Sequence, residues 1–249
     1  LVCEYSRKGI KEYDEVFDLC NRILAECTDS AIRYEAIETL GIAYDYAGKK
    51  DEMLKLAKEM PRTHFSYENF MMYRWKGDAD FEEFQGYLSF LIYHTAEMIE
   101  LAVGQRHDNG EFIYPLEDRI GLWKTEVDFL ELIFPDGDYQ IKAQLGEVAC
   151  SFLCTAYLRK QNYEEAWKWL EKSADFAIHM DTYDFDAPHS SPILRGYSSG
   201  GWIMEADGNR SQSLLEWLEI NNEVAVLRSD VRYKVLVDRL KKVAKKPQI

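Results

Sequence analysis

Hydrophobic residues recur every three to four positions along most of the chain, the spacing of one face of an α-helix. Residues 11–27 show this pattern first, and residues 30–47 repeat it. Further helices are predicted at 51–60, 65–76, 79–103, 115–134, 139–160, 163–180, 211–220 and 230–245. The stretches 111–114 and 224–227 are short and isolated, so they can form at most a minor extended contact. The predicted fold class is therefore all-α.

Two predicted helix pairs carry the order of side-chain sizes found in tetratricopeptide repeats. In the pair at 147–174, the first helix has a large, a small and an aromatic residue at Leu153, Cys154 and Tyr157. The second helix has a small, a large and a small residue at Ala166, Leu170 and Ala174. In the pair at 34–60, Leu40, Gly41 and Tyr44 have the same spacing on the first helix. Gly48 makes the turn, Met53 takes the small position of the second helix and Ala57 follows. Small residues let two helices approach closely while large ones fill the space beside them. These patterns predict a tetratricopeptide-like right-handed superhelix of antiparallel helix pairs.

The predicted organisation has three parts. Helical repeats occupy 1–181, an irregular loop occupies 182–210, and helices at 211–249 pack on the same superhelix. The loop holds two of the 6 prolines and four of the 14 glycines, which favour turns over regular structure. Because the sequence starts at Leu1 in a helical pattern, we expect a missing N-terminal portion.

Composition narrows the possible partners. The net charge is −14, and an acidic chain is repelled by nucleic-acid phosphates and by anionic membrane surfaces. Hydrophobic residues make up 47% of the chain, but no apolar run approaches the roughly 20 residues that span a bilayer. The five cysteines include Cys150 and Cys154, one helical turn apart in an apolar stretch, which favours buried reduced thiols. The expected location is the cytoplasm.

The sequence lacks the common motifs of catalysis and metal binding. It contains no HExxH, CxxC, GxSxG or GxxxxGK[ST] pattern, and its five histidines have no partners at zinc spacing. We therefore predict no enzyme activity, no metal and no cofactor. One alternative stays open, an enzyme whose active site lies in loop 182–210. That alternative predicts a polar pocket there with a perturbed titrating group.

The chain resembles the C-terminal part of clostridial Cro-repressor-like (XRE family) helix-turn-helix transcriptional regulators. The stretches that carry the resemblance are Leu132–Tyr139 (LIFPDGDY), the repeat at 163–178, the Ser191–Pro192 loop and Val226–Leu240 (VLRSDVRYKVLVDRL). The resemblance implies that a DNA-binding domain precedes residue 1. By analogy with related peptide-sensing regulators, it implies a peptide as the leading class of ligand.

The predicted ligand-binding surface is the concave face of the superhelix, which the first helix of each pair would line. Acidic, aromatic and arginine side chains are typical of a peptide groove, although an exposed helix face has the same composition. The residues predicted to bind a ligand are Glu38, Asp45, Tyr67, Arg74, Trp75, Arg119, Trp123, Ser151, Thr155 and Arg159. Glu126 falls on the same predicted face as Arg119 and Trp123.

The sequence therefore predicts an effector-sensing and dimerisation domain of a transcriptional regulator. It would bind a peptide or protein ligand, form a homodimer and reach DNA only through the absent domain. The alternative is a tetratricopeptide scaffold that joins proteins and has no small effector.

Overall fold

The structure is a computed structural model that describes residues 13–59, 71, 74–184, 186–198 and 209–245. Over these residues the chain is all-α, as predicted. The α-helices are α1 (Asp14–Glu26), α2 (Ser30–Tyr46), α3 (Lys50–Glu59), α4 (Asp78–Gly104), α5 (Leu116–Ile133), α6 (Ala143–Arg159), α7 (Tyr163–Thr182), α8 (Arg210–Ile220) and α9 (Val231–Lys241). Short 3-10 helices at Gln140–Lys142 and Val224–Ser229 precede α6 and α9.

Where the residues are described, the predicted helices agree with the observed ones to within a few residues. Most of the helix predicted at 65–76 lies outside the described residues. Pro115 is the N-cap of α5 instead of its first residue, with ψ near 156°. Residues 224–227, where we expect at most a minor extended contact, form part of a 3-10 helix. Arg106 and Phe112 form an isolated antiparallel bridge, the extended contact expected near 111–114.

The chain divides into two compact units, residues 1–74 and 75–249. In the first, α1 packs along α2 through a core in which the rings of Phe17 and Tyr44 stack 4.9 Å apart. Gly48 ends α2 at a φ of +70°, in the left-handed region that favours glycine, and its N–H donates to the carbonyl of Asp45. This turn leads directly into α3.

In the second unit, neighbouring helices run antiparallel. The start of α5 contacts the end of α6 through an ion pair of 2.7 Å between Glu117 and Lys160. The start of α6 likewise contacts the later part of α7, where a Cβ at Gly146 would lie 2.6 Å from Cζ of Phe176. Asn162 caps α7 by accepting a hydrogen bond from the Glu165 N–H, so a three-residue turn suffices between α6 and α7.

Alternate helices of this unit run parallel and touch one another. On one side, Gln144 of α6 donates a hydrogen bond of 2.7 Å to the hydroxyl of Tyr93 on α4. On the other side, α5 is joined to α7, and α7 to α9, by ion pairs between their side chains. These pairs are Glu131–Lys172, Glu164–Arg232 and Asp175–Arg239. The helices thus lie in two layers, with α4, α6 and α8 in one and α5, α7 and α9 in the other.

Residues 186–198, here called the clasp loop, are held by the turn between α5 and α6. Asp138 accepts the N–H of Ser190 at 2.6 Å, and Asp136 accepts the hydroxyls of Ser190 and Ser191. Asp138 follows a Pro-Asp-Gly turn and stands just before the next helix, a position typical of an N-cap, but its carboxylate holds this loop instead. Leu194 of the loop is fully buried in the core that α4, α5 and α6 share. Two of the stretches that carry the family resemblance therefore contact each other here.

The C-terminal helices attach to α7 by hydrogen bonds at helix ends. The carboxylate of Asp181, near the end of α7, accepts the first N–H groups of α8 from Arg210 and Ser211. Asp230 caps α9 by accepting the N–H of Arg232. A negative side chain is favourable at a helix N-terminus, where N–H groups lack partners within the helix. Within the described part of the chain, no helix is long and apolar enough to cross a membrane.

Candidate functional site

Three of the predicted ligand-binding residues fall in the first unit, and a fourth, Tyr67, lies outside the described residues. Glu38 and Asp45 are exposed on α2, and Arg74 is exposed where the unit ends. Glu38 borders a pocket of about 370 Å³ between α2 and α3, whose other lining residues are mostly apolar. The structure thus places two predicted acidic side chains on one exposed helix.

Trp75 begins the second unit and continues into a row of rings along one side of α4. Its indole N–H donates to Glu83 at 3.0 Å, and its ring lies 5.7 Å from that of Tyr87. The row continues through Phe90 to His94, whose rings are 4.1 Å apart. Phe90 is 54% exposed, so this part of the row faces solvent. Sequence analysis predicted Trp75 but missed the rest of the row.

Arg119 and Trp123 are buried, contrary to their predicted place on an open face. The Arg119 guanidinium lies 3.4 Å from the ring centre of Phe112 and 4.9 Å from that of Trp123. Trp123 is 4% exposed and stacks on Phe152 of α6 at 5.2 Å. Burial first, and then repulsion from Arg159, lowers the pKa of Arg119. In this structure both side chains hold α5 against its neighbours.

The three predicted residues of α6 are engaged within the protein. The Ser151 hydroxyl lies 2.9 Å from that of Ser173 on α7. Thr155 donates to the backbone carbonyl of Ser151, four residues earlier in the same helix. Arg159 makes two hydrogen bonds to the carboxylate of Glu223, at 2.8 and 2.7 Å, while half of its side chain stays exposed. Of this set, Arg159 is the residue that a ligand reaches most easily.

The structure also brings together four glutamates, three of which sequence analysis did not single out. Glu97 and Glu100 lie on α4, Glu126 on α5 and Glu147 on α6, and we call these four the glutamate cluster. Glu97 pairs with His94 at 2.9 Å, and Glu147 pairs with Arg210 of α8. Glu97 and Glu100 are partly exposed, whereas Glu126 and Glu147 are buried, so the cluster leads from the surface into the core.

Glu126 is the most unusual member of the cluster. It is 0% exposed, and neither carboxylate oxygen has a hydrogen-bond partner among the described residues. Burial, followed by repulsion from Glu100, raises the pKa of Glu126 to about 8. Burial, and then repulsion from Glu97, also raises the pKa of Glu100. Since burying a carboxylate without a partner is costly, this position would be stabilised by a positive group.

A second polar site lies beneath the clasp loop. A pocket of about 440 Å³ is lined by Asp136, Gly137, Asp138, Gln140, His179, Tyr183, Asp184, Ala187, Pro188 and Ser190. Gln140 has a φ of +47°, and its N–H donates to Nε2 of His179 at 3.1 Å. Burial first lowers the pKa of His179, and attraction from Asp138 opposes that shift. This region thus has the polar pocket and perturbed group that the open enzyme alternative predicts.

The geometry of that pocket does not favour nucleophilic catalysis. Ser190 and Ser191 donate their hydroxyl hydrogens to Asp136. Although burial acts in the opposite direction, hydrogen bonds from Ser191 and Ser190 lower the pKa of Asp136, which makes it a weak base. His189 is buried, and its Nδ1 is 3.2 Å from Asp138, an ion-pair distance without the alignment of a hydrogen bond. The hydrogen bonds from Ser190 and Ser191 to the two aspartates hold the clasp loop.

Known proteins give no assignment for either site. No family model, curated protein or solved structure matches the chain significantly. Within the described residues, no group of three or more His, Cys, Asp or Glu side chains is placed to hold a metal ion. The glutamate cluster and the ring row beside it are therefore the candidate site, on the strength of their geometry alone.

Proposed function

We propose that this chain is the effector-sensing and dimerisation domain of a bacterial helix-turn-helix transcriptional regulator of the Cro-repressor-like (XRE) family. The observation that carries the proposal is the two-layer order of the second unit, in which alternate helices run parallel and neighbouring helices antiparallel. That order is what stacked tetratricopeptide-like pairs require, because the first helices of successive pairs form one continuous surface. The quoted sequence stretches supply the link to regulators.

The ligand would bind on the surface that α4, α6 and α8 form. Tyr93, Gln144, Glu147 and Arg210 join these helices by side-chain hydrogen bonds, so a ligand that rearranges them changes the relative position of three helices. A ligand can shift such an equilibrium only by its difference in affinity for the two arrangements. A peptide is the favoured ligand, since the surface combines rings, carboxylates and amides.

Native mass spectrometry of the chain purified from a bacterial host tests this function. Gln144→Trp should block the surface, and Lys168→Trp is the control because Lys168 is exposed on α7 in the other layer. A retained peptide or small molecule that Gln144→Trp loses and Lys168→Trp keeps would support the proposal. A ligand kept by both variants would place binding elsewhere.

The same spectra address the alternative of a scaffold without a small effector. A dimer with a retained ligand supports the sensor. A monomer without any retained ligand, which nevertheless captures a defined protein partner in the same host, would favour the scaffold and contradict the dimerisation half of the proposal.

A further inference from the structure

When all of its members are ionised, the glutamate cluster holds more negative charge than its described neighbours neutralise. It contains four carboxyl groups, and Arg210 is the cation that pairs with one of them, Glu147. His94 pairs with Glu97, and an imidazole is charged only when protonated. Glu100 and Glu126 repel each other across α4 and α5. An anionic ligand would add to this repulsion, whereas a cation would relieve it.

The buried end of the cluster indicates where the cation would bind. Both oxygens of Glu126 lack a hydrogen-bond partner among the described residues, although the side chain is fully buried. Buried polar groups in folded proteins are nearly always hydrogen-bonded, so an unpaired carboxyl needs an explanation. Four acceptor positions on one carboxylate suit a donor with several N–H groups, such as an ammonium or a guanidinium.

The surroundings favour an organic cation over a bare ion. Glu100 and Glu97 are partly exposed at the open end of the cluster, next to Tyr93, His94 and the ring of Phe90. Aromatic faces attract organic cations and accommodate their apolar stems. We propose that the glutamate cluster binds one primary ammonium or guanidinium group of a ligand, which Glu126 and Glu100 accept as hydrogen-bond partners. This inference rests on the proposed function for the location of the ligand surface and adds the chemical class of the ligand.

Two sources can supply such a group, a lysine or arginine of a peptide and a free amine metabolite. The probes are therefore agmatine, which carries both cationic groups, and the capped tripeptide acetyl-Ala-Lys-Ala-amide. Acetyl-Ala-norleucine-Ala-amide is the neutral control with a similar stem. Isothermal titration calorimetry on the whole chain measures each Kd at pH 9, above the pKa of about 8 of Glu126, where this carboxyl is ionised and both cationic probes keep their charge. Tighter binding of the lysine peptide indicates a peptide source, and tighter binding of agmatine indicates a free amine.

The variants separate the cluster from the rest of the helix. Glu126→Gln keeps the size of the side chain and removes its charge, so we expect both cationic probes to bind about tenfold more weakly or worse. Asp128→Asn removes an exposed charge two residues away and should leave Kd unchanged. If Glu126→Gln does not fold, as judged by circular dichroism, Glu100→Gln at the half-exposed neighbour takes its place with the same expectation.

Two results would overturn the inference. One is the failure of both cationic probes to bind the wild-type chain at millimolar concentration. The other is equal binding of a probe to wild type and to the folded glutamine variant. The inference can also fail while the proposed function stands: a retained neutral or anionic ligand that Gln144→Trp releases would uphold the sensor and refute its cationic ligand.

Discussion

Replacing Gly146 by alanine tests the close approach of α6 and α7, the most tightly packed helix pair of the second unit. The added Cβ would lie 2.6, 2.7 and 2.8 Å from three ring atoms of Phe176, all inside ordinary contact distance. Phe176 is only 4% exposed, and its ring also packs on that of Tyr139 at 4.9 Å, so it has little room to move. The substitution must therefore displace the ring or separate the helices.

The expected size of the effect is the difference between two opposing contributions. Overpacking in a core costs about 1–3 kcal/mol. Alanine in place of glycine inside a helix returns about 1 kcal/mol. The net loss is therefore about 0–2 kcal/mol, which lowers the Tm of a unit of this size by up to roughly 8 °C.

Gly121→Ala is the matched control. Gly121 also lies inside a helix, α5, but a Cβ there meets nothing within 4 Å, so only the gain in helix propensity remains. We expect its Tm to rise by roughly 2–4 °C. Thermal unfolding followed by tryptophan fluorescence measures both variants, because all six tryptophans lie in residues 75–249. A Gly146→Ala variant as stable as Gly121→Ala would refute the described packing of α6 on α7.

Three further predictions concern charge, anchoring and thiol burial. Burial raises the pKa of Glu126 to about 8 in the folded protein, so between pH 4.5 and 8 this carboxyl is ionised in the unfolded chain while the folded chain still holds its proton. The free energy of unfolding should therefore fall as the pH rises through this range, and it should fall less in Glu126→Gln. Denaturant titrations at several pH values measure both. Asp136→Ala removes the acceptor for two serine hydroxyls and should speed tryptic cleavage within the clasp loop, with unchanged cleavage as the contrary result. Burial raises the pKa of Cys150 and Cys154, so mass-spectrometric mapping should show native alkylation at Cys27 long before either; equal rates would contradict their burial.

Other titrating groups, Lys142 among them, also contribute to the pH dependence of stability. Burial lowers the pKa of Lys142 to about 8, and a lysine with a lowered pKa makes stability rise with pH in the alkaline range. This contribution is the same in wild type and in the Glu126→Gln variant. The difference between their pH profiles therefore reports Glu126 together with its repulsion of Glu100. Identical profiles would show that Glu126 is not buried as described.

Local signals in the sequence were sufficient to predict the helices. The spacing of apolar residues that predicts a helix can be read from the residues of that helix alone. The turns at Gly48 and Asn162 also have causes within a few residues, a positive φ at Gly48 and helix capping by Asn162. Asp138 shows the limit of this reasoning. As a lone residue before a helix it suggested an N-cap, yet its partner is Ser190, 52 residues away in sequence. Local patterns do not specify partners at that separation.

The rotation of α5 about its axis was harder to predict. Its buried positions include Arg119, Trp123 and Glu126 beside Ile120 and Val127. These residues do follow the three-to-four spacing of a buried helix face, so the spacing alone predicts that they are buried. Their polarity argued the other way, since charged residues are seldom fully buried. Arg119 is stabilised in its buried position by stacking on the ring of Phe112. This contact depends on the Arg106–Phe112 bridge, which lies outside α5.

Glu126 differs from Arg119 because nothing described in the protein compensates its burial. A glutamine or leucine at the same place on α5 would fill similar space without an unpaired charge, so selection for stability alone would not keep a carboxyl there. Groups whose pKa is strongly shifted by burial and by a like charge concentrate at functional sites for this reason. If Glu126→Gln is more stable than wild type at pH 8 and also loses the cationic ligand, then the same buried carboxyl both lowers the stability of the fold and binds the ligand. A variant that gains no stability would mean that the carboxyl is already satisfied within the fold, and the argument for a ligand at the glutamate cluster would lose its main support.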